Sequence, residues 1–204
     1  MGIYERYVLP RIFDRSLKGK HFAKIRSRLV PLAEGDVLEI GMGPGHNLAF
    51  YSDAVRSITG VEPSERLREM ARERAEAMAC PIDFVGRVAE DIPAESGSFD
   101  SVVVTWTLCS ILEVERALGE MRRVLKSTGK LVFAEHGLAP EERVQRWQHR
   151  LNPIWKKIGG GCNLNRPMAS LIEGAGFAIE DLDAGYMPGP RFAAYMYRGV
   201  ARPR

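Results

Sequence analysis

Glu39, Gly41, Gly43 and Gly45 stand at alternate positions directly after the apolar start of the run Val37-Leu38-Glu39-Ile40. Such a run reads as a buried parallel strand, and the glycines read as a tight turn beyond its carboxyl end. Glycine permits a positive φ and lets a ligand approach where a Cβ would collide. The chemistry suggested is the holding of a nucleotide-like ligand; the alternative is a turn that only packs strand against helix. A dinucleotide fingerprint would need its third glycine at position 46, where the chain has His46.

Further polar groups recur at the ends of later apolar runs. Glu62 follows Ser57-Ile58-Thr59-Gly60-Val61 and lies 21 residues after Gly41. A carboxylate there can accept hydrogen bonds from both hydroxyls of a ribose. Pro63 and the segment Ala89-Glu90-Asp91-Ile92-Pro93 can line the same crevice, with an adenine stacked near Pro63 and Ile92. Thr105-Trp106-Thr107-Leu108 ends the next apolar run beside it, and His136 ends the one after. An imidazole can titrate near neutrality, so His136 is either the acid/base group or a structural histidine capping its strand. His46 belongs to the glycine turn, and His149 to an exposed helix. Cys109 is either an acceptor-pocket wall or a small buried apolar residue. Asn163, Asn165 and Arg166 either order an acceptor or cap the helix that begins at Pro167. Trp147, Trp155, Tyr186 and Met187 either line an apolar pocket or belong to the core.

These groups need a scaffold that brings strand ends together, and the pattern supplies one. Strands are expected at 57–61, 81–85, 98–105 and 130–135, after the one that ends at Ile40. Between them fall a first helix over Asn47–Ser52, a second from Pro63-Ser64 to about Met78 with Ser64 as N-cap, and a third over Val114–Leu125. A helix from Glu141 to Trp155, broken by Pro153, and a short one from Pro167 to Glu173 follow. Two strands, Ala178–Ala184 and Phe192–Ala201, then succeed each other without a helix and should pair antiparallel. The expected fold is α/β: a seven-stranded, mostly parallel, Rossmann-like sheet with an antiparallel C-terminal hairpin and helices on both faces. We read it as a single domain, with a helical cap over 1–34, a ligand-binding core over 35–136, acceptor or lid helices over 137–175 and the hairpin over 176–204.

The chain has 204 residues, 27% charged and 45% hydrophobic, with net charge +3. That size suits one full core, and the charge is too small to argue for nucleic acid. Cys80, Cys109 and Cys162 are odd in number and lack paired spacing, which suggests a reducing, cytoplasmic setting and no metal cluster. The N-terminus carries no signal-peptide pattern. Residues 1–30 hold eight Lys/Arg against Glu5 and Asp14, interleaved with apolar residues. The segment is either a cap with a solvated basic face or a lid that meets an anionic or membrane-bound substrate.

Glu39 to Gly45, Val61-Glu62-Pro63, Ala89 to Pro93, Gly97-Ser98-Phe99-Asp100, Arg122 to Lys126 and Gly129-Lys130-Leu131 together resemble the class I S-adenosylmethionine-dependent methyltransferases, of the type 11 and ubiquinone/menaquinone-biosynthesis kind. Ordered motifs are more specific than any one alone. Asn47-Leu-Ala-Phe-Tyr51, Thr107-Leu-Cys-Ser110, Glu135-His136 and Gly161 to Arg166 are similar to the methyltransferase-like thiol S-methyltransferases of animals and their bacterial relatives. The animal proteins begin with a membrane-anchoring hydrophobic segment, which this chain lacks.

The resemblance implies S-adenosyl-L-methionine as donor and S-adenosyl-L-homocysteine as product. It implies donor contacts from Glu39, Gly41, Gly43, Gly45, Asn47, Glu62, Pro63, Ala89, Glu90, Thr105 and Trp106. Many members place an acid immediately before the Ala-Glu pair, where this chain has Val88. The expected activity is in-line methyl transfer to a small apolar or amphipathic acceptor: a thiol first, then quinone-like, phenolic or lipid-amine acceptors. The alternatives are a donor-binding regulatory or scaffold protein without catalysis, and an NAD(P)-dependent oxidoreductase, which His46 disfavours. A small molecule is the expected partner, with peripheral membrane contact through residues 1–30 as a further reading.

Overall fold

The computed structural model of the chain describes residues 14–204. Seven strands form one sheet among these residues: β1 (Gly35–Ile40), β2 (Val55–Val61), β3 (Ile82–Val85), β4 (Phe99–Thr105), β5 (Leu125–His136), β6 (Phe177–Tyr186) and β7 (Tyr195–Pro203). Their order is β3-β2-β1-β4-β5-β7-β6. The first five are parallel, while β7 is antiparallel to both β5 and β6. This is the mostly parallel sheet with an antiparallel hairpin that the sequence pattern predicts.

The apolar runs become central strands because both their faces are covered. Val37, Val103 and Val132 join one buried cluster, while Leu38, Ile40, Val102, Val104, Leu131 and Phe133 join another. That alternation along each strand places the two clusters on opposite faces of the sheet. The helices include α1 (Lys20–Leu29), α2 (Glu65–Ala75), α3 (Val114–Val124), α4 (Glu142–Ile158), α5 (Met168–Gly174) and the single turn α6 (Arg191–Ala194). Ser64 caps α2, its hydroxyl accepting from the Leu67 backbone N–H at 3.4 Å. None of these helices is long and apolar enough to cross a membrane.

The register decides what meets what. Ile40 pairs with Val61 on one side and Val104 on the other, and Thr105 pairs with Ala134. The carboxyl ends of β2, β1, β4 and β5 therefore lie side by side, carrying Glu62, Gly41, Trp106 and His136 in that order along one edge. The strand order reverses direction between β1 and β4, where sheets of this kind open a crevice.

Three local expectations are corrected. Asn47–Ser52 forms only a 3-10 turn, Leu48–Phe50, because Tyr51 leaves helical geometry and sends its hydroxyl to Glu39. Pro153 does not break α4. Proline removes one bond, to the carbonyl four residues earlier, and that residue, His149, is solvent-exposed, so water can replace it. The last strand starts at Tyr195, not Phe192, because α6 occupies Arg191–Ala194 and Gln148 Nε2 holds the Phe192 carbonyl at 3.2 Å.

Candidate active site

A cavity of about 620 Å³ opens along this edge of the sheet. Gly41 and Gly43, with φ of 66° and 57°, form its floor, but for different reasons. A Cβ on Gly41 would lie 2.3 Å from Thr107 Cγ2 and Oγ1, whereas one on Gly43 would meet nothing nearer than the Gly41 carbonyl, 3.8 Å away. Gly41 is thus required by the fold, and Gly43 leaves room beside the cavity. Gly43→Ala should cost about 1–2 kcal/mol of stability for its left-handed backbone. It should weaken S-adenosylhomocysteine binding about tenfold or more, since a loss of 1.4 kcal/mol in contact already gives that factor. Gly41→Ala should lose stability first. Thermal melts and titration calorimetry separate the two, and equal effects on binding and melting in both variants would contradict the division.

Gly45, with φ of 82°, lies off the cavity wall; its Cβ would strike Leu48 at 3.0 Å and Ala71 of α2 at 3.1 Å. It sets strand-to-helix packing. Glu62 sits on the wall, almost wholly buried, with one carboxylate oxygen accepting from Gly43 N–H at 3.0 Å and the other from Ser64 N–H at 2.8 Å. Burial raises its pKa, and those two backbone donors partly offset the rise. Each carboxylate oxygen has a second lone pair, so Glu62 keeps acceptor capacity for two hydroxyls.

Pro63, Ala89 and Glu90 flank it on the wall, joined by Leu67 and by Val88 where the acid of many relatives would stand. Glu90 also accepts from the Glu113 backbone N–H at 3.3 Å. Ile92 is in the core instead of the wall, because Glu120 and Arg123 of α3 hold its backbone, accepting from its N–H at 3.2 Å and donating to its carbonyl at 2.9 Å. Leu67 of α2 supplies an apolar side chain to this part of the wall.

Glu39 lies behind the wall. Asn47 Nδ2 donates to it at 3.0 Å and Tyr51 Oη at 2.8 Å, and Asn47 also donates to Thr105 Oγ1 at 3.1 Å. Arg26 of α1 closes the network by donating to Asn47 Oδ1 at 2.9 Å. Arg26 is therefore buried, not part of a solvated basic face, and burial lowers its pKa to about 10. Its guanidinium also lies 4.8 Å from the centre of the Trp106 ring, which Phe22 meets edge-on at 5.0 Å. The described end of the N-terminal segment thus covers the cavity mouth; the rest of the lid or membrane reading, residues 1–13, lies outside the described residues.

Burial raises the Glu39 pKa from 4.5 to about 7, against the Tyr51 and Asn47 hydrogen bonds and the Arg26 charge. A carboxyl with a folded pKa above its unfolded one stabilises the fold fully below the unfolded value and loses that contribution as pH rises through the folded value. A shift of about 2.5 units corresponds to roughly 3 kcal/mol lost between about pH 4.5 and 7, with no further loss above. Urea unfolding at pH 5 and pH 8 should show a slope smaller by about this amount in Glu39→Gln than in the native protein, the remainder coming from Glu135 and Glu62, whose carboxyls burial also raises. Parallel slopes in the two would disprove it.

Trp106 is the one described non-glycine residue with positive φ, at 50°. Glu135 explains why it stays there. Its buried carboxylate accepts from the backbone N–H groups of Thr107 and Leu108 at 2.7 and 2.9 Å and of Cys109 at 3.4 Å. The loop after β4 is gathered around one acid, which forces the turn at Trp106.

At the β5 end of the cavity lies His136, with Nε2 2.9 Å from Cys162 Sγ and Nδ1 buried without a partner among the described residues. Trp155 Nε1 donates to Cys162 Sγ at 3.3 Å, and Cys109 Sγ lies 3.5 Å from Ser110 Oγ. Hydrogen bonding from Cys109, with His136 and Trp155 behind it, pulls the Cys162 pKa down despite burial. The absence of a ligand cluster expected from cysteine spacing is corrected here: the ligand-capable atoms of Cys109, His136 and Cys162 lie within 4.8 Å of one another. They come from the ends of β4 and β5 and the loop after α4, so sequence spacing carried no sign of them. Cys80 stands apart.

The loop that carries Cys162 is held firmly. Asn163 donates to the Cys109 carbonyl at 2.9 Å, and Arg166 donates to the Leu108 and Ile111 carbonyls. Neither caps α5, which has no side-chain cap; Asn165 turns instead to His149, 2.8 Å away. Gln148, invisible as a site residue in the sequence, is buried and joins Ala139, Gly137, Leu164 and Phe192 by hydrogen bonds. Trp155 and Met187 line the cavity, whereas Trp147 is exposed and Tyr186 bonds Glu141.

An adenosine joined to an amino acid fits this site. Gly43 leaves a Cβ-sized space beside the wall, Glu62 retains acceptors for a ribose, and the volume lies within the range of ligand sites.

Comparison with known proteins agrees with this chemistry. Residues 38–133 match the family described as methyltransferase domain. Rat thiol S-methyltransferase TMT1B is 33% identical over 190 residues, spanning 88% of this chain and 78% of its own length. The human protein of that name is 34% identical, over 80% of this chain and 68% of its own. An S-adenosylmethionine-dependent methyltransferase structure from Thermotoga maritima superposes with a TM-score of 0.68 at 23% identity, covering 98% of this chain and 97% of that one. The YcgJ protein structure from Bacillus subtilis gives 0.67 at 17%, covering 88% and 96%. With its sheet, glycine turn and relatives all in agreement, the chain belongs to the S-adenosylmethionine-dependent methyltransferases.

Proposed function

We propose that this methyltransferase transfers the methyl group to the sulfur of a small apolar thiol. The observation that carries the reading is the apolar lining that shares the cavity with His136 and Cys162, supplied by Ile111, Leu112, Trp155, Met187 and Met196. S-adenosylmethionine supplies an electrophilic methyl group on a sulfonium. The chain's own task is to align the acceptor, exclude water and take up one proton.

Glu62, Pro63, Ala89, Glu90, Gly41 and Gly43 would hold the adenosine end, while Thr105 and Trp106 border the methionine end. Glu39, Asn47 and Gly45 would act through them, by fixing Thr105 and the turn. Among the described cavity residues the acids are Glu62 and Glu90, both at the adenosine end. A protonated amine at the other end would face apolar walls, whereas an alkyl thiol is neutral, meets them favourably and has a single proton to give up. The pair His136–Cys162 is placed to take that proton, which makes His136 the acid/base group of this reading. Two relatives of high coverage are named thiol S-methyltransferases, which supports the same choice.

An acceptor panel of alkyl thiols, phenols, quinols and amines, read by mass spectrometry of the methylated products, tests it. Alkyl thiols should give the highest kcat/KM, and turnover confined to amines or phenols would overturn the assignment.

A further inference from the structure

The geometry points to a soft-metal site at the acceptor end of the cavity, in which Cys109, His136 and Cys162 bind a zinc ion and leave its fourth position open to the cavity. Three ligand-capable atoms within 4.8 Å of one another is the spacing a single ion can bridge. The donor set, two sulfurs and one imidazole, is of the kind that suits zinc. All three side chains also line the cavity, so a ligand entering from that side can reach the remaining position.

The surroundings are those of a held site. Asn163 pins the Cys109 carbonyl, and Arg166, on the same loop as Cys162, holds the Leu108 and Ile111 carbonyls on either side of Cys109, so the two cysteines cannot drift apart independently. Trp155 donates to Cys162 and Ser110 contacts Cys109, the outer contacts that steady thiolate ligands. His136 Nε2 and Cys162 Sγ are now 2.9 Å apart, a proton-sharing distance. Tetrahedral bonds of about 2.3 Å to sulfur and 2.0–2.1 Å to nitrogen would separate them by about 3.6 Å. The ion therefore replaces the shared proton and moves the side chains apart by about 0.7 Å. On binding, the cysteines lose their protons to solvent, and two thiolates neutralise the dication.

The use of this site in catalysis rests on the thiol reading. With the ion bound, His136 and Cys162 are ligands and cannot take the acceptor's proton, so an acceptor thiol would give it to solvent and bind the open position as thiolate. Its sulfur then forms the bond to the methyl carbon as the carbon–sulfonium bond breaks, and the electron pair of that bond stays on the departing sulfide. The neutral thioether product is a weak ligand, so water retakes the position.

The test uses the full-length protein, reduced and stripped of metal, then equilibrated with zinc and passed through gel filtration. About one zinc per chain should remain. Cobalt(II) in its place should show sulfur-to-metal charge-transfer absorption. Cys109→Ser and Cys162→Ser should each weaken zinc binding by more than the 10–100-fold typical of losing an outer contact. Both should keep S-adenosylhomocysteine affinity, which reports the fold because that ligand sits at the other end. Retention of no more zinc by the native protein than by the Cys109→Ser/Cys162→Ser double variant would overturn the site, as would a cobalt spectrum without charge transfer. Zinc bound but no thiol methylated leaves the metal site standing and removes the thiol acceptor. Thiols methylated by a protein that binds no zinc do the reverse.

Discussion

Glu62→Ala should weaken S-adenosylhomocysteine binding by about 100-fold or more while the protein still folds. Each hydrogen bond to a charged group contributes about 1.5–3 kcal/mol, and Glu62 has acceptor capacity for two ribose hydroxyls beyond the backbone donors it already holds. Loss of about 3 kcal/mol of that interaction is roughly a 150-fold change in affinity. The two freed donors, Gly43 N–H and Ser64 N–H, lie beside the cavity, where water can reach them. The fold therefore loses less than binding does. Glu62→Gln, which keeps one acceptor oxygen, should fall between. Calorimetric titration with a melt of the same sample reads both quantities, and an alanine variant that binds within threefold of the native protein would remove Glu62 from the donor site.

Glu135→Ala should be the most damaging single substitution to stability, because three buried N–H groups would lose their acceptor together. An orphaned buried donor costs about 1–3 kcal/mol, so at least about 3 kcal/mol is at stake against a total stability of about 5–15 kcal/mol. Glu135→Gln offers a graded comparison. One carboxylate oxygen serves Thr107 and Leu108 and the other serves Cys109. Glutamine can keep the first pair and lose only the third, for about 1–2 kcal/mol. Urea unfolding of the three proteins should rank native, glutamine, alanine. An alanine variant as stable as the glutamine one would show that Glu135 does not hold the loop.

The cavity wall that Gly41, Gly43, Glu62 and Pro63 line was legible because a short local pattern marks each part. Alternating glycines require a backbone that only glycine adopts readily, and a carboxylate one residue past a strand is positioned by that strand alone. Ser64 was legible as the cap of α2. The failures have one cause in common. Glu39 ended behind the wall because Asn47 and Tyr51 fold back onto it, and Tyr51 in doing so stopped the first helix. Gln148 stands beside exposed His149 in the sequence, yet its helical phase points it into the junction of three other chain segments, at 137–139, Leu164 and Phe192.

By itself, the sequence determined the sheet and its hairpin, since strand periodicity acts over few residues, and its ordered motifs carried the family resemblance that implies the methyl donor. Only the tertiary structure decided how the acceptor end is built. Cys109, His136 and Cys162 are separated by 26 residues or more, and they meet because parallel strand ends are brought side by side and one loop is tied to them. Contacts of that range leave no periodic trace in a chain.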